Sequence, residues 1–195
     1  RHDVDGQDLR RSYSICAGLD DGELRVGVRK VAGGLFSNWL HQHLKAGDTL
    51  QVMPPQGKFF VPLAPEASRH YLGLAGGSGI TPILSIVKAL LADARGARVT
   101  LLYGNRNAAS TMFKEELEDL KNRHLTRLAL HPVFSREQVD SPLNSGRLDA
   151  AKVGDFLRLV GAAGIDEVFV CGPHAFNDEA EAALRQAGIA PGRIH

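Results

Sequence analysis

Several short stretches of the 195-residue sequence combine residue types that can hold a nucleotide. Ala75-Gly-Gly-Ser-Gly-Ile-Thr-Pro82 lies between an apolar strand pattern and a long helix pattern. Glycines there let the backbone approach a ligand, and the helix entrance offers unpaired N–H groups at the positive end of its dipole. Pro82 suits the first helical turn, where its missing N–H costs little. Two readings stay open: a pyrophosphate cradle, or a tight turn that needs glycine for geometry alone. The string is neither the G-x-G-x-x-G fingerprint nor a Walker loop, since no Gly-Lys-Ser/Thr follows. Arg11-Ser-Tyr-Ser14 brings a cation, an aromatic ring and a hydroxyl together. In a strand, Arg11 and Tyr13 share one face and Ser14 takes the other. A planar ligand could stack on Tyr13 while Arg11 holds a phosphate; the plainer reading is a surface strand with an Arg–acid pair. Gly33-Gly-Leu-Phe-Ser-Asn38 is a second glycine turn before a helix. Either Ser37 or Asn38 caps that helix, or its entrance is a second phosphate site.

Such groups need a folded chain to hold them. Hydrophobic residues make up 44% of the sequence and charged residues 23%, too apolar for a disordered chain. Lys and Arg total 23, Asp and Glu 22, so the net charge is +1. That balance argues against a dedicated nucleic-acid or anionic-membrane binder and leaves room for a local basic pocket. No apolar run approaches the roughly 18 residues needed to span a bilayer. The polar start Arg1-His-Asp-Val-Asp-Gly6 lacks a signal peptide's hydrophobic segment. Cys16 and Cys171 make neither a disulfide framework nor a metal knuckle, which favours a reducing cytoplasm. His41, His43, His70, His124, His131 and His174 show no i, i+4 ligand pair with carboxylate support, so they read as surface or packing residues and no metal is expected.

Residues 1–63 read as strands and turns. Strands are expected over 12–17 and 23–31, joined by a hairpin turn at Asp20-Asp21-Gly22, with Leu24, Val26 and Val28 on one face. A helix is expected over 35–44, a strand over 49–53 stopped by Pro54-Pro55, and a linker over 63–68. Beyond it, strands over 71–75, 98–103, 125–134 and 167–171 alternate with helices over 81–94, 110–123, 149–160 and 176–187. The buried stripe of the second of these helices is Phe113, Leu117 and Leu120. A fifth strand begins at Gly192-Arg-Ile-His195. Helices between strands indicate an α/β fold with a doubly wound parallel sheet of five strands.

The ordered set decides between the open readings. Arg11-Ser-Tyr-Ser14, Gly34-Leu-Phe-Ser37, Gly76-Gly-Ser-Gly-Ile-Thr-Pro82, Tyr103-Gly-Asn-Arg106 and Cys171-Gly-Pro173 follow in sequence. Together they resemble the ferredoxin–NADP reductase superfamily over the whole chain, and within it the reductase components of bacterial multicomponent oxygenases. The strings Met112-Phe113, Phe134-Ser-Arg136 and Gly146-Arg-Leu-Asp149 are similar to the reductases of phenylacetyl-CoA epoxidases. Ring-hydroxylase and ketosteroid-hydroxylase reductases are near relatives. The resemblance implies part of an antiparallel β-barrel FAD domain over 1–66 and an NAD(P)-binding domain over 67–195. It implies that Arg11 binds the flavin phosphates, Tyr13 packs on the isoalloxazine, Ser14 bonds near flavin N5, and Val28 and Arg29 follow the flavin. Arg29 stands where the family usually has Lys. Gly34, Leu35, Phe36 and Ser37 would hold the FAD pyrophosphate, and Thr81 would lie close to both cofactors. Gly76, Gly77, Ser78, Gly79, Ile80, Thr81 and Pro82 would cradle the nicotinamide dinucleotide. Tyr103, Asn105, Arg106, Ser135, Arg136, Cys171, Gly172 and Pro173 complete that expected site, with Ser14 and Cys171 assisting catalysis. For Cys171, a small buried side chain is the plainer reading.

Coenzyme choice turns on charge. Adjacent parallel strands lie about 4.8 Å apart, so Arg106 and Ser135-Arg136 at neighbouring strand ends could share one 2′-phosphate. No acidic residue stands at either strand end for a ribose hydroxyl. NADPH is therefore expected; a solvated Arg136 partnered by Glu137 is the bland alternative. Hydride transfer needs nicotinamide C4 and flavin N5 within about 3–3.5 Å, which is a matter of positioning. The resemblance also implies a flavin domain that begins before Arg1, a tail and a ferredoxin domain after His195, and an oxygenase partner of aromatic degradation. The two cysteines cannot ligate an iron–sulfur centre, so a two-iron two-sulfur cluster is expected only outside this chain. A piece of this kind is expected to hold FAD weakly. Rival readings are the flavin partner of dihydroorotate dehydrogenase and a non-catalytic nucleotide-binding module.

Overall fold

The computed structural model describes residues 1–4, 6–63, 67–93 and 96–195, with Asp93 in its backbone alone. The chain opens with an antiparallel pair, β1 (His2–Val4) and β2 (Gln7–Leu9). Gly6, at φ 77, supplies the left-handed backbone of their connection. Helix α1 (Leu35–His43) follows. Then come β3 (His70–Gly76), α2 (Ile80–Asp93), β4 (Arg98–Asn105), α3 (Lys114–Arg123), β5 (Leu128–Phe134), α4 (Ala150–Val160), β6 (Glu167–Cys171) and α5 (His174–Gln186).

The four long strands form a parallel sheet in the order β5-β4-β3-β6. The expected doubly wound architecture is present. The fifth strand is reduced to a parallel bridge of Ile194 with Val168, where the His195 N–H donates to the Val168 carbonyl at 2.9 Å. Side chains alternate across the sheet and feed two cores. Tyr71, Val99, Leu101, Tyr103 and Phe169 pack under α2 and α3. Leu72, Leu74, Leu102 and Val168 pack under α4 and α5 with Phe156 and Phe176. The chain runs outward from β3 through β4 to β5, then returns to β3's other side at β6. The carboxyl ends of β3 and β6 therefore flank a topological switch point, where ligands bind in open α/β sheets.

The N-terminal boundaries differ from expectation. Residues 12–17 and 23–31 meet only at an antiparallel bridge, Ile15 with Val26, and 49–53 is irregular. A strand exists only where a ladder partner supplies hydrogen bonds, and Val52 and Met53 stand 84% and 68% exposed without one. The Asp20-Asp21-Gly22 turn is a 3₁₀ turn over Leu19–Asp21 closed by a left-handed Gly22. The helix expected from 110 starts at Lys114, because Asn107 closes a separate 3₁₀ turn (Ala108–Ser110) by accepting from the Ser110 N–H at 2.9 Å. Strand β5 starts at Leu128 instead of 125, since the α3 end still captures the Leu128 N–H on the His124 carbonyl. The central part of the expected linker (64–66) and the last residue of the expected helix 81–94 fall outside the described residues.

The N-terminal half docks on the α2–α3 side. Cys16 is fully buried in that core. Ser85 Oγ donates to the Ala17 carbonyl at 2.7 Å. Lys88 of α2 pairs with Asp21 (2.5 Å) and with Glu116 of α3, and Arg25 closes the cluster on Glu116 at 2.6 Å. Burial opposes the Glu116 charge, but hydrogen bonds from Lys88 and Arg25 outweigh it and hold its carboxyl below the usual range. The Lys88 hydrogen bond holds Asp21 below its range as well. Carboxyls with lowered native pKa stabilise the fold above their unfolded values and lose that contribution as pH falls through the native ones. Thermal unfolding followed by circular dichroism is thus expected to lose this cluster's contribution below about pH 4, after an earlier, shallower decline below about 6.5 where His70 and His131, kept neutral by burial, take up protons on unfolding. Glu116→Gln should cost about 1–3 kcal/mol at neutral pH and flatten the acid limb; an unchanged acid limb contradicts the role given to this cluster.

Candidate functional site

At the switch point the backbones of β3 and β6 approach without side chains between them. Gly77–Gly79 is a 3₁₀ turn that runs straight into α2, and Gly77 takes φ 54. A Cβ on Gly79 would sit 2.0 Å from the Cys171 carbonyl oxygen and 2.8 Å from the Gly172 nitrogen. One on Gly172 would sit 2.6 Å from Phe176 Cδ1, and one on Gly76 would meet Pro173 at 3.0 Å. Gly79 is required by contact between backbones, and Gly172 and Gly76 by the Phe176 ring and Pro173 packed against them, so Gly76 to Pro82 and Cys171 to Pro173 form one feature. Ser78 is exposed at its crest, while Thr81 is buried and donates to the Ser78 carbonyl at 3.1 Å. Tyr103, fully buried beneath, donates to the Gly77 carbonyl at 3.0 Å. Burial pushes its phenol up to about 12, so it stays a neutral donor that pins the turn. Burial also raises the Cys171 thiol, which leaves an uncharged sulfur suited to packing a ring and not to nucleophilic attack.

Two further groups converge on this turn. Arg29 reaches over from the N-terminal half: Nη2 donates to the Ser110 carbonyl at 2.7 Å, and Nη1 lies 3.0 Å from where a Gly77 Cβ would be. The expected flavin-side cation thus stands at the mouth of the β3 turn. Asn105, at the end of β4, is buried, and neither of its amide atoms makes a hydrogen bond of ordinary geometry. The amide neighbours the Tyr103 phenol, and its remaining hydrogen-bonding capacity at the open strand end could pair with a nucleotide. At the sheet edge the Ser135 N–H pairs with the Asn105 carbonyl (3.0 Å) and the Arg136 N–H with the Arg106 carbonyl (2.8 Å). This backbone pairing brings Arg106 and Arg136 to neighbouring strand ends, both exposed and, among the described residues, neither in an ion pair. Glu137 does not partner Arg136; its carboxylate accepts from the Ala108 N–H at 2.7 Å.

The second glycine turn is a separate feature. Gly33 takes φ 72, and Gly34 is the N-cap of α1 with no side-chain cap. Neither Ser37 nor Asn38 caps the helix. Ser37 Oγ is buried and accepts from the Val31 N–H at 3.2 Å, and the Asn38 amide donates back to Val31 and Gly34 carbonyls. The uncapped first-turn amides fit a diphosphate. Leu35 is exposed, but Phe36 is buried and stacks with Tyr13 at 6.2 Å between centroids, so it serves as the floor under Tyr13. Arg11 and Ser14 are exposed, and the Arg11 guanidinium bonds to the neighbouring Arg10 carbonyl at 2.7 Å. Val28 is half-buried, and its carbonyl meets the His41 Nε2 at 2.9 Å. The backbone carbonyls of Ser110 and Met112, which help close the β3 turn on Arg29 and Tyr103, carry no side-chain signal in the sequence.

A switch-point turn of this kind on a doubly wound sheet defines a dinucleotide-binding α/β protein. Residues 74–182 match the oxidoreductase NAD-binding domain family and residues 1–61 the oxidoreductase FAD-binding domain family. The chain belongs to the ferredoxin–NADP reductase-like family of FAD- and NAD-binding oxidoreductases. It is 43% identical to one of the subunits of the 1,2-phenylacetyl-CoA epoxidase of Escherichia coli K12, over 98% of this chain and 54% of that protein. It is 34% identical to the ferredoxin reductase component of 3-ketosteroid-9-alpha-monooxygenase of Rhodococcus rhodochrous, over 96% of this chain and 50% of that one. The chain spans about half the length of the curated relatives it matches. The crystal structure of the Amycolatopsis cytochrome P450 reductase GcoB superposes with a TM-score of 0.84 at 28% identity, over 98% of this chain and 57% of that one. The FAD/NAD-binding domain of Vibrio cholerae nitric oxide dioxygenase gives 0.80 at 25% identity, over 98% and 78%. Among the described residues no helix is long and apolar enough to cross a membrane.

Gly79→Ala is expected to cost about 3 kcal/mol or more by urea denaturation, because the clash is with a backbone carbonyl that cannot turn away. Gly164→Ala meets nothing within 4 Å and should stay within about 0.5 kcal/mol; equal effects would contradict the close approach of β3 and β6.

Proposed function

We propose that this chain is the FAD- and NADPH-binding part of a reductase that feeds single electrons, through an iron–sulfur centre, to an oxygenase of phenylacetyl-CoA degradation. The observation that carries it is the β3–β6 turn with three cations around it: Arg29 at Gly77, and Arg106 and Arg136 at the sheet edge. Residues 1–66 serve FAD and 67–195 serve the nicotinamide dinucleotide. The uncapped entrance of α1 at Gly34 takes the FAD diphosphate, Arg11 a flavin phosphate, and Tyr13, backed by Phe36, the flavin ring, with Ser14 beside it. Gly76 to Pro82 takes the second diphosphate on backbone amides, assisted by Arg29. Asn105 donates to the dinucleotide, and Arg106, Ser135 and Arg136 hold the 2′-phosphate that distinguishes NADPH. Cys171, Gly172 and Pro173 seat the nicotinamide by packing, since the thiol is uncharged.

Bound together, the two coenzymes supply hydride transfer and the conversion of a two-electron donor into single electrons. The residues here orient them and keep water away. Thr81, held by Ser78, stands where the two halves meet and limits how far apart the coenzymes lie. The ferredoxin domain is placed in cis beyond residue 195, and the oxygenase follows as a separate component. Support for that route comes from the relatives named above, one of them part of a phenylacetyl-CoA epoxidase and the other a ferredoxin reductase component. The unpaired thiols of Cys16 and Cys171 fit a reducing cytoplasm.

Full-length protein carrying FAD should reduce ferricyanide with NADPH; failure to do so contradicts the reading and favours a non-catalytic nucleotide module. Arg106→Ala and Arg136→Ala should each raise KM for NADPH about 10- to 100-fold, the worth of one charged hydrogen bond. KM for NADH should stay unchanged, and a parallel rise for both coenzymes would place these arginines outside the 2′-phosphate site.

A further inference from the structure

Phe113 is the only described residue other than glycine with a positive φ, at 56. A bulky side chain in that region is strained, and such strain persists only when the surroundings enforce it. The ring points across the junction of the two halves. A Cβ on Gly27 would lie 2.6 Å from Phe113 Cζ and 3.1 Å from Thr81 Cγ2. Gly27 does not itself need a left-handed backbone, so it is glycine to make room for the ring and the Thr81 methyl. Arg25, two residues earlier, sits over the ring, 5.8 Å from its centroid. The same guanidinium holds Glu116 on the first turn of α3, and Glu116 is tied through Lys88 to Asp21. The ring therefore faces the flavin-side segment beside the Thr81 methyl of the α2 entrance, under a guanidinium that belongs to the charge cluster joining both.

We propose that Phe113 is a positioning residue: its ring, beside the Thr81 methyl, bears on Gly27 and so sets the spacing of the flavin-side segment 25–29 from the entrance of α2, and thereby of the two coenzymes. This rests on the two-coenzyme reading given above. Phe113 touches neither coenzyme in this account; it acts through Thr81 and the segment that carries Arg29. A change of about an ångström in that spacing is enough to slow transfer between rings while each binding site stays intact.

The test uses full-length, FAD-loaded protein and anaerobic stopped-flow reduction of the flavin by NADPH, read by the loss of visible flavin absorbance. Phe113→Ala is expected to lower the limiting reduction rate about tenfold or more, with the half-saturating NADPH concentration, the affinity for 2′,5′-ADP and the FAD content unchanged. Gly27→Ala should also slow the limiting rate, because its Cβ displaces the ring. The pair Gly27→Ala with Phe113→Leu should recover much of the rate, since a shorter side chain makes room for the new methyl. Limiting rates equal to wild type in Phe113→Ala and Gly27→Ala, even with a lowered unfolding temperature, would overturn the proposal and leave Phe113 a packing residue. If Phe113→Ala does not retain FAD, the Gly27→Ala single and the compensating pair decide: a pair no faster than the single overturns the proposal. A wild-type flavin that NADPH does not reduce would sink the two-coenzyme reading instead, a result distinct from fast reduction in every variant.

Discussion

Everything at the site follows from two strand ends meeting backbone to backbone. Gly79 lies against the Cys171 carbonyl with no room for a methyl group. That approach is possible only because Gly76, Gly79 and Gly172 carry no side chains there. It brings the amides of the α2 entrance next to the carboxyl end of β6, at the point where the sheet order reverses. Helix-end amides gathered in one place attract a diphosphate, and the neighbouring strand ends supply whatever else a dinucleotide presents. The buried Tyr103 phenol holds the turn, because burial pushes it up to about 12 and it stays a neutral donor to Gly77 over the physiological range.

Charge is distributed around this turn with purpose despite the near-neutral total. Several acidic groups on this side are already engaged: Glu137 accepts from the Ala108 amide, while Asp21 and Glu116 are bound to Lys88 and Arg25. Among the described residues Arg106 and Arg136 have no ion pairs at one sheet edge, and Arg29 leans over the turn with a backbone carbonyl as its partner. Cations with no anionic partner, set next to one another, lower the cost of bringing in a phosphate. The same pairing of opposite charges at the α2–α3 side fixes the N-terminal half on the nucleotide-binding half, so one cluster links stability to alignment.

Much of this was legible in the sequence where the cause is local. The alternation of apolar strands and helices from 70 onward is set by period, and its elements appear within a few residues of where the pattern places them. The glycine turn before α2 and the strand ends at Arg106 and Ser135 follow directly from it. The strands expected over 12–17, 23–31 and 49–53 were not legible, because a strand depends on its ladder partner and not on its own residues. The position of Arg29 at Gly77 was hidden for a related reason: a residue placed in one half by its neighbours in sequence reaches the other half in space. Gly27 carried no motif at all; only the ring that fills its missing Cβ explains it.

The central claim is that the α2 entrance and the β6 end together hold one dinucleotide. Backbone amide shifts during titration of isotope-labelled full-length protein with NADP⁺ test it most directly. The account predicts that the largest perturbations fall on Gly77, Ser78, Gly79, Ile80 and Gly172, with Arg106 and Arg136 next. Perturbations confined to helices α4 and α5, with the Gly77–Ile80 amides unmoved at saturation, would contradict it.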